Sequence, residues 1–290
     1  MALVIYFFQC EFFQHEAEVF SQISRNSYLC RMEKSLIQEQ FVRTRMLLGD
    51  VALERLRTAR VAVFGVGGVG GYAVEVLARS GIGTLDLIDA DRIELSNLNR
   101  QIIGLHSTLG RPKVEVAAER IRDINPQCRV TTFQQFYLPE NAAEIDLSQY
   151  DYVLDCIDTV TAKVELARRC HGLGVPLLCC LGAANKMDTM AFRVSDITKT
   201  KMDPLAKVLR RKLRELGIPH LKCVWSEEQP LRPILLESEV NRASELLVDH
   251  TADSQTPSPV VRRTVPASNA FVPAVAGLIA GGEVIKDLIS

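Results

Sequence analysis

Three glycines in the stretch RVAVFGVGGVGG, Gly65, Gly67 and Gly70, stand in a G-x-G-x-x-G spacing between an apolar run and a helical pattern. In that setting the first glycine permits a tight turn, the second lets backbone approach a phosphate, and the third lets a helix pack on a strand. The helix N-terminus that follows offers unpaired N–H groups to an anion. Asp89 closes the next apolar run, 24 residues after Gly65, where a carboxylate accepts ribose hydroxyls. Together these residues predict an adenine-nucleotide site. Alone, they do not choose between hydride transfer and phosphoanhydride cleavage.

The residues that follow make the choice. A long polar loop carries Asp91, Asn97, Arg100 and Gln101, and Lys113 stands near the start of the next helix. Cations aimed at one nucleotide suit reaction at phosphorus, because charge builds on the phosphoryl oxygens in the transition state. In VLDCID a strand ends at two carboxylates, Asp155 and Asp158, on the sheet edge where open α/β folds bind ligands. Asp158, beyond the strand end, is the better placed to hold Mg2+ bridging phosphates, and Asp155 is expected to serve a neighbouring turn. This cationic surround and the lack of a hydride-transfer constellation count against a nicotinamide oxidoreductase. The intact Asp89, Arg100, Lys113 and Asp158 count against a silent scaffold.

A second feature points to a polyanionic partner. Between Lys199 and Arg214 the chain carries seven basic residues (Lys199, Lys201, Lys207, Arg210, Arg211, Lys212, Arg214) and one acidic, Asp203. Asp203 and Pro204 mark a helix start. Leu205, Val208, Leu209 and Leu216 are expected to dock, leaving Lys207, Arg210, Arg211 and Arg214 outward or flanking. Such a face suits a phosphate backbone; the plainer reading is a solvated basic surface.

These residues need a framework, and the pattern supplies one. RVAVFG, TLDLID, CRVTTF, YDYVLD and PLLCCLG read as strands, with YAVEVLARSG, RPKVEVAAERIRDIN and KVELARRCHG as helices among them. Apolar strands alternating with amphipathic helices predict a Rossmann-like, doubly wound, mostly parallel α/β sheet. After Gly182 the pattern changes: MAFRVSDI reads as a strand of another kind, KCVWSEE as a further strand, and the last twenty residues as a closing helix.

The composition, 47% hydrophobic and 24% charged, is that of an ordinary globular enzyme, and a net charge of -1 gives no global pull toward nucleic acid. None of the eight cysteines forms a C-x-x-C pair, which disfavours a zinc knuckle or a dithiol redox motif and fits a reducing cytoplasm. The first twenty residues hold five of the eleven phenylalanines, but lack a basic n-region and a cleavage site and are interrupted by Glu11. MEKSLIQEQF, from Met32, reads like a protein start, so residues 1–31 are expected to be a start-site artefact or an appendage.

GVGGVG, DADRIELSNLNRQ, GRPKVEVAAERIRDINP and VLDCID, in this order, resemble the ThiF/MoeB-like adenylating superfamily, to which ubiquitin-activating enzymes belong. RTRMLLGDVAL, SDITKTKMDPLAKVLRRKLRE, KCVWSEE and FVPAVAGLIAGGEVIKDL are most similar to its tRNA threonylcarbamoyladenosine dehydratase branch. Sulfur-carrier-activating members commonly carry two zinc-binding C-x-x-C pairs, and their absence here favours the tRNA branch.

The resemblance implies that Gly65, Gly67, Gly68 and Gly70 cradle ATP and that Asp89 holds the ribose, with Asp91 beside it. Asn97, Arg100 and Lys113 would contact phosphates and stabilise attack at the α-phosphorus, and Asp158 would bind Mg2+. An arginine reaching the nucleotide from a partner subunit matches Arg43 or Arg45, which implies a homodimer. The implied reaction adenylates the threonyl carboxylate of threonylcarbamoyladenosine in tRNA, then closes a ring with release of AMP. Cys223 matches a cysteine of the branch, with either a thioester role or a packing role. The domains implied are an appendage, 1–34, and an adenylating domain, 35–290. Within the latter, 58–182 would form the nucleotide-binding core and 183–290 an extension for dimerisation and tRNA binding. Sulfur-transfer partner proteins are also compatible with this branch. The alternative within the superfamily is activation of a ubiquitin-like or sulfur-carrier protein's C-terminus.

Overall fold

The computed structural model describes residues 39–234 and 266–290. The appendage expected at 1–34 therefore lies outside the described residues. The chain falls into two bodies that divide between Leu53 and Glu54. The helix α1 (Val42–Thr58), which begins in the first and ends in the second, is interrupted at Gly49, whose φ of +82° lies in the left-handed region that favours glycine. Arg45 and Asp50 form an ion pair across this break.

The second body is built on a seven-stranded sheet. Its strands are β1 (Arg60–Phe64), β2 (Thr84–Ile88), β3 (Arg129–Phe133), β4 (Tyr152–Asp155), β5 (Leu177–Cys180), β6 (Phe192–Asp196) and β7 (Lys222–Ser226). The order is β3-β2-β1-β4-β5-β7-β6. All neighbours are parallel except β6, which runs antiparallel to β7 at one edge. The strand expected to be of another kind is this one. Strand order turns outward from β1 in both directions, so a crevice opens at the carboxyl ends of β1 and β4, the switch point where such folds bind ligands.

The connecting helices are α2 (Gly70–Arg79), α3 (Lys113–Ile124), α4 (Val160–Leu173) and α5 (Pro204–Glu215), followed by the closing helix α6 (Val272–Ile289). β1 is almost wholly apolar and buried, as a strand covered on both faces must be. α3 buries Val114, Val116, Ala117, Ala118 and Ile121, one helical stripe.

One expectation for α5 is corrected. The buried residues are Ala206, Leu209 and Leu213, while Val208 is 36% and Leu216 46% exposed. The 3.6-residue period brings Ala206, Leu209 and Leu213 onto one stripe, and a small alanine serves there where close approach is needed. Asp203 does cap the helix, accepting from the Ala206 N–H at 3.0 Å, with Pro204 in its first turn.

α6 packs against α2 through glycines. A Cβ at Gly277 would overlap the Val69 carbonyl and come within 2.9 Å of Tyr72 Cβ, and one at Gly281 would meet Val76 Cβ at 2.7 Å. Spaced by four, they let the backbones touch. The closing helix thereby braces the helix whose N-terminus faces the crevice. Gly277→Val is expected to destabilise the protein by about 1–3 kcal/mol through overpacking, measured as a lower denaturation midpoint at unchanged m-value.

Candidate active site

The carboxyl ends of β1, β2, β4 and β5 open into a cavity of about 690 Å³. Its floor is the turn after β1. Gly65 has a φ of +88°, and a Cβ there would stand 2.7 Å from the Cys156 carbonyl, so the turn rests directly on the end of β4. A Cβ at Gly70 would overlap the Gly65 carbonyl. Gly67 differs: its Cβ would meet only Gln101 Nε2, at 3.8 Å, leaving backbone open to a ligand. Gly68 lies beneath the Arg100 side chain and Pro273. Of the four glycines, Gly65, Gly67 and Gly68 line the cavity, while Gly70 secures the turn.

Asp89, just past β2, fastens that turn to the sheet. Its Oδ2 accepts from the Val66 N–H at 2.7 Å and its Oδ1 from the Asp91 N–H at 2.9 Å. Burial raises its pKa above the ordinary carboxylate value, and Lys113 nearby and the two backbone donors only partly offset this. Lys113, with a buried side chain, donates to Asp91 Oδ2 at 2.7 Å. Asp91 thus steers the ammonium at the cavity wall.

Arg100 reaches the cavity from the polar loop, where its Nη1 donates to the Ser96 carbonyl and to Asn99 Oδ1, both at 2.9 Å. Asn97 is buried in the short turn before it and its Oδ1 accepts from the Glu94 N–H at 3.2 Å, shaping the loop while lining the cavity. Asp158 lies on the opposite wall. Asp155 has a different part. It is fully buried, salt-bridged to Lys163, and accepts from the Ile157 N–H at 3.0 Å, which serves the neighbouring turn as expected.

The fit to a nucleoside triphosphate and a divalent cation follows from these groups. The open backbone at Gly67, the free end of α2 and the cations Arg92, Arg100 and Lys113 match a polyphosphate. No group of three or more His, Cys, Asp or Glu able to hold a metal occurs among the described residues. A hard cation would therefore be held by the Asp158 carboxylate together with phosphate oxygens and water, the mode usual for Mg2+.

The remaining candidates lie elsewhere. Cys223 is fully buried on β7 opposite Cys179, with its thiol 3.4 Å from the Leu221 carbonyl, and does not line the cavity. Arg43 and Arg45 belong to the first body. On and before α5, Lys199, Lys201, Lys207, Arg211 and Arg214 are exposed and Lys212 half-buried. Arg210 is turned back, donating to the carbonyls of Thr200 at 2.9 Å and Ile197 at 3.3 Å. Leu205, in the first turn of this basic helix, lines the cavity.

Sequence reasoning missed two parts of the site. Gln135, Phe136, Tyr137 and Leu138, in the loop after β3, close the Asp89 end of the cavity. They carry no motif. Cys156 and Cys180, with sulfurs 3.7 Å apart, lie in the wall beneath the glycine turn, and their mutual hydrogen bond together with burial pushes the Cys156 thiol well up. Parallel pairing of Asp155 with Cys179 sets that proximity, and only the strand register discloses it.

The ThiF family model matches residues 41–289. The chain is 43% identical over 251 residues to the tRNA threonylcarbamoyladenosine dehydratase of Bacillus subtilis (strain 168), covering 86% of this chain and 94% of that protein. Among solved structures, E. coli tRNA N6-threonylcarbamoyladenosine dehydratase, TcdA, in complex with AMP aligns with a TM-score of 0.74 at 34% identity. That alignment covers 87% of this chain and 94% of the other. The same E. coli protein in complex with ATP aligns at 0.72 and 33%, with the same coverage.

The open face at Gly67 yields a test. Gly67→Ala should leave the melting temperature unchanged, because the added Cβ meets only Gln101 at 3.8 Å. It should weaken nucleoside triphosphate binding tenfold or more in calorimetry, by filling the space the phosphates need.

Proposed function

The chain belongs to the ThiF family, and we propose that it is an ATP-dependent tRNA threonylcarbamoyladenosine dehydratase that activates the substrate carboxylate by adenylation. The observation that carries the reading is the cavity's extent. It runs from the glycine turn, past Arg100, Lys113 and Asp158, to Leu205 in the first turn of the basic helix α5. One cavity thus joins a phosphate site to the start of a helix suited to a polyanion. The likeness to the B. subtilis and E. coli dehydratases supports the same assignment.

The chain's own residues divide the work. Gly67 backbone and the N-terminus of α2 receive the triphosphate, and Asp89 accepts from the ribose while anchoring the turn. Arg100 and Lys113 neutralise charge that grows on the α-phosphate as the carboxylate oxygen attacks. Lys113 exchanges part of its bond to Asp91 for a phosphate oxygen. Mg2+, held by Asp158 and the phosphates, would supply Lewis-acid charge neutralisation there. Attack releases pyrophosphate and leaves an acyl-adenylate. A nitrogen or oxygen of the tethered carbamoyl group then closes a five-membered ring and expels AMP, a step favoured by proximity. The net change is the loss of one water.

The tRNA backbone is proposed to lie along Lys199, Lys201, Lys207, Arg211, Lys212 and Arg214, with Arg210 bracing the loop before α5. Cys223 packs in the core in this proposal and takes no covalent part. A second copy of the chain would supply Arg43, since Arg45 is engaged by Asp50.

Incubation with ATP, Mg2+ and tRNA bearing threonylcarbamoyladenosine should give a nucleoside lighter by one water and one AMP per turnover, read by mass spectrometry after digestion. An unchanged nucleoside would overturn the proposal. Pyrophosphate exchange into ATP should need this tRNA and not a small protein ending in Gly-Gly. Reversing Lys207, Arg211 and Arg214 to Glu should weaken tRNA binding and flatten its salt dependence, with ATP affinity retained. Cys223→Ala should keep turnover within about threefold of the parent. A hundredfold loss would restore the thioester alternative.

A further inference from the structure

Lys163 is a lysine on the buried face of an amphipathic helix, between Ala162 and Leu166 in the covered stripe of α4. Its side chain and that of Asp155 are both fully buried. The ammonium lies 3.1 Å from each Asp155 oxygen, 2.7 Å from the Cys180 carbonyl and 3.5 Å from Cys179 Sγ. Burial on its own would drive the proton off. The Asp155 carboxylate and the neighbouring thiols outweigh it and hold the group above its ordinary value.

A buried pair of this kind is a poor source of net stability, because removing two charges from water costs about what their attraction returns. Its position is what distinguishes it. One ammonium ties three elements: the end of β4 through Asp155, the end of β5 through the Cys180 carbonyl, and the first turn of α4 through its own backbone. Asp155 Oδ1 also accepts from the Ile157 N–H at 3.0 Å, while its Oδ2 accepts from the Cys179 thiol at 3.1 Å. The turn so held is Cys156–Ile157–Asp158. Its Cys156 carbonyl supports Gly65 from below, and its Asp158 faces the cavity.

We propose that Lys163 and Asp155 are positioning residues that fix the 156–158 turn, so that Asp158 meets the metal–phosphate group at a set place. Neither touches the ligand. The proposal rests on the reading of Asp158 as the carboxylate that holds Mg2+ with ATP. Without the pair, the turn loses the acceptor for Ile157 N–H and its tether to β5, and Asp158 samples positions away from the phosphates. Glycine-turn contacts with the nucleotide persist, because the Val66 N–H bond to Asp89, the Gly65 N–H bond to the Ile88 carbonyl and the Cys156 N–H bond to the Phe64 carbonyl hold that floor without the pair.

The test is ATP affinity in calorimetry, measured for the full chain in Mg2+ and again in excess EDTA. The Asp155→Leu/Lys163→Met double variant removes both buried charges and so avoids an uncompensated one. Its affinity in EDTA should stay within threefold of the parent, while the gain on adding Mg2+ falls tenfold or more. Asp158→Asn serves as the control and should abolish the same gain. A folded double variant with the parent's full Mg2+ gain, beside an Asp158→Asn variant that has lost it, overturns the inference alone. An Asp158→Asn variant that keeps the gain overturns the metal assignment beneath it. Should the double variant fail to fold, the closer isostere Asp155→Asn/Lys163→Gln, which removes both charges and keeps neutral hydrogen-bonding groups, is expected to show a selective loss of threefold or more, and a retained gain there overturns the inference.

Discussion

The site depends on backbone touching backbone at the end of β1. Gly65 can rest on the Cys156 carbonyl, and Gly70 on the Gly65 carbonyl, only because neither carries a Cβ. That contact fuses the ends of β1 and β4 into one floor and aims the start of α2 into the crevice. Gly277 and Gly281 repeat the device on the outer side, where α6 comes close enough to α2 to brace it. A side chain at any of these contacts would separate the layers and move the phosphate site away from its charges.

Electrostatics then divides the carboxylates into two kinds. Asp155 is a structural acceptor, for the Ile157 N–H and the Lys163 ammonium, whereas Asp89 lines the cavity while accepting from the Val66 and Asp91 N–H groups. Asp91 and Asp158 face the cavity, one holding Lys113 and the other at the opposite wall. The Asp91 ion pair holds the Lys113 ammonium in place before a polyphosphate enters. A chain of nearly neutral net charge can then handle anions because Arg92, Arg100 and Lys113 line the cavity and the basic helix α5 begins at its edge, at Leu205.

Much of this was legible in the sequence. The glycine turn, the strand and helix alternation, and the odd strand at Phe192–Asp196 follow from local period and spacing, because each depends on residues close in the chain. The separation of Asp155 from Asp158 was legible too, since one sits inside a strand and the other past its end. What the sequence hides is set by register and packing. Val208 and Leu216 looked like docking residues because they are large, while Ala206 and Leu213 occupy the covered stripe. Lys163 did carry a signal, a charge on the apolar face of its helix, but its partner lies across β4 and β5. Gln135 to Leu138 carry none; their place is fixed by where β3 ends.

The central claim is that the cavity transfers adenylate to a tRNA carboxylate. Substrate tRNA whose threonyl carboxylate carries oxygen-18 tests this most directly. Carboxylate attack on the α-phosphorus places one labelled oxygen in the departing AMP, so mass analysis of AMP from a complete reaction should show one oxygen-18 per molecule. AMP without label, alongside normal loss of water from the nucleoside, would contradict carboxylate adenylation and with it the role given to this site.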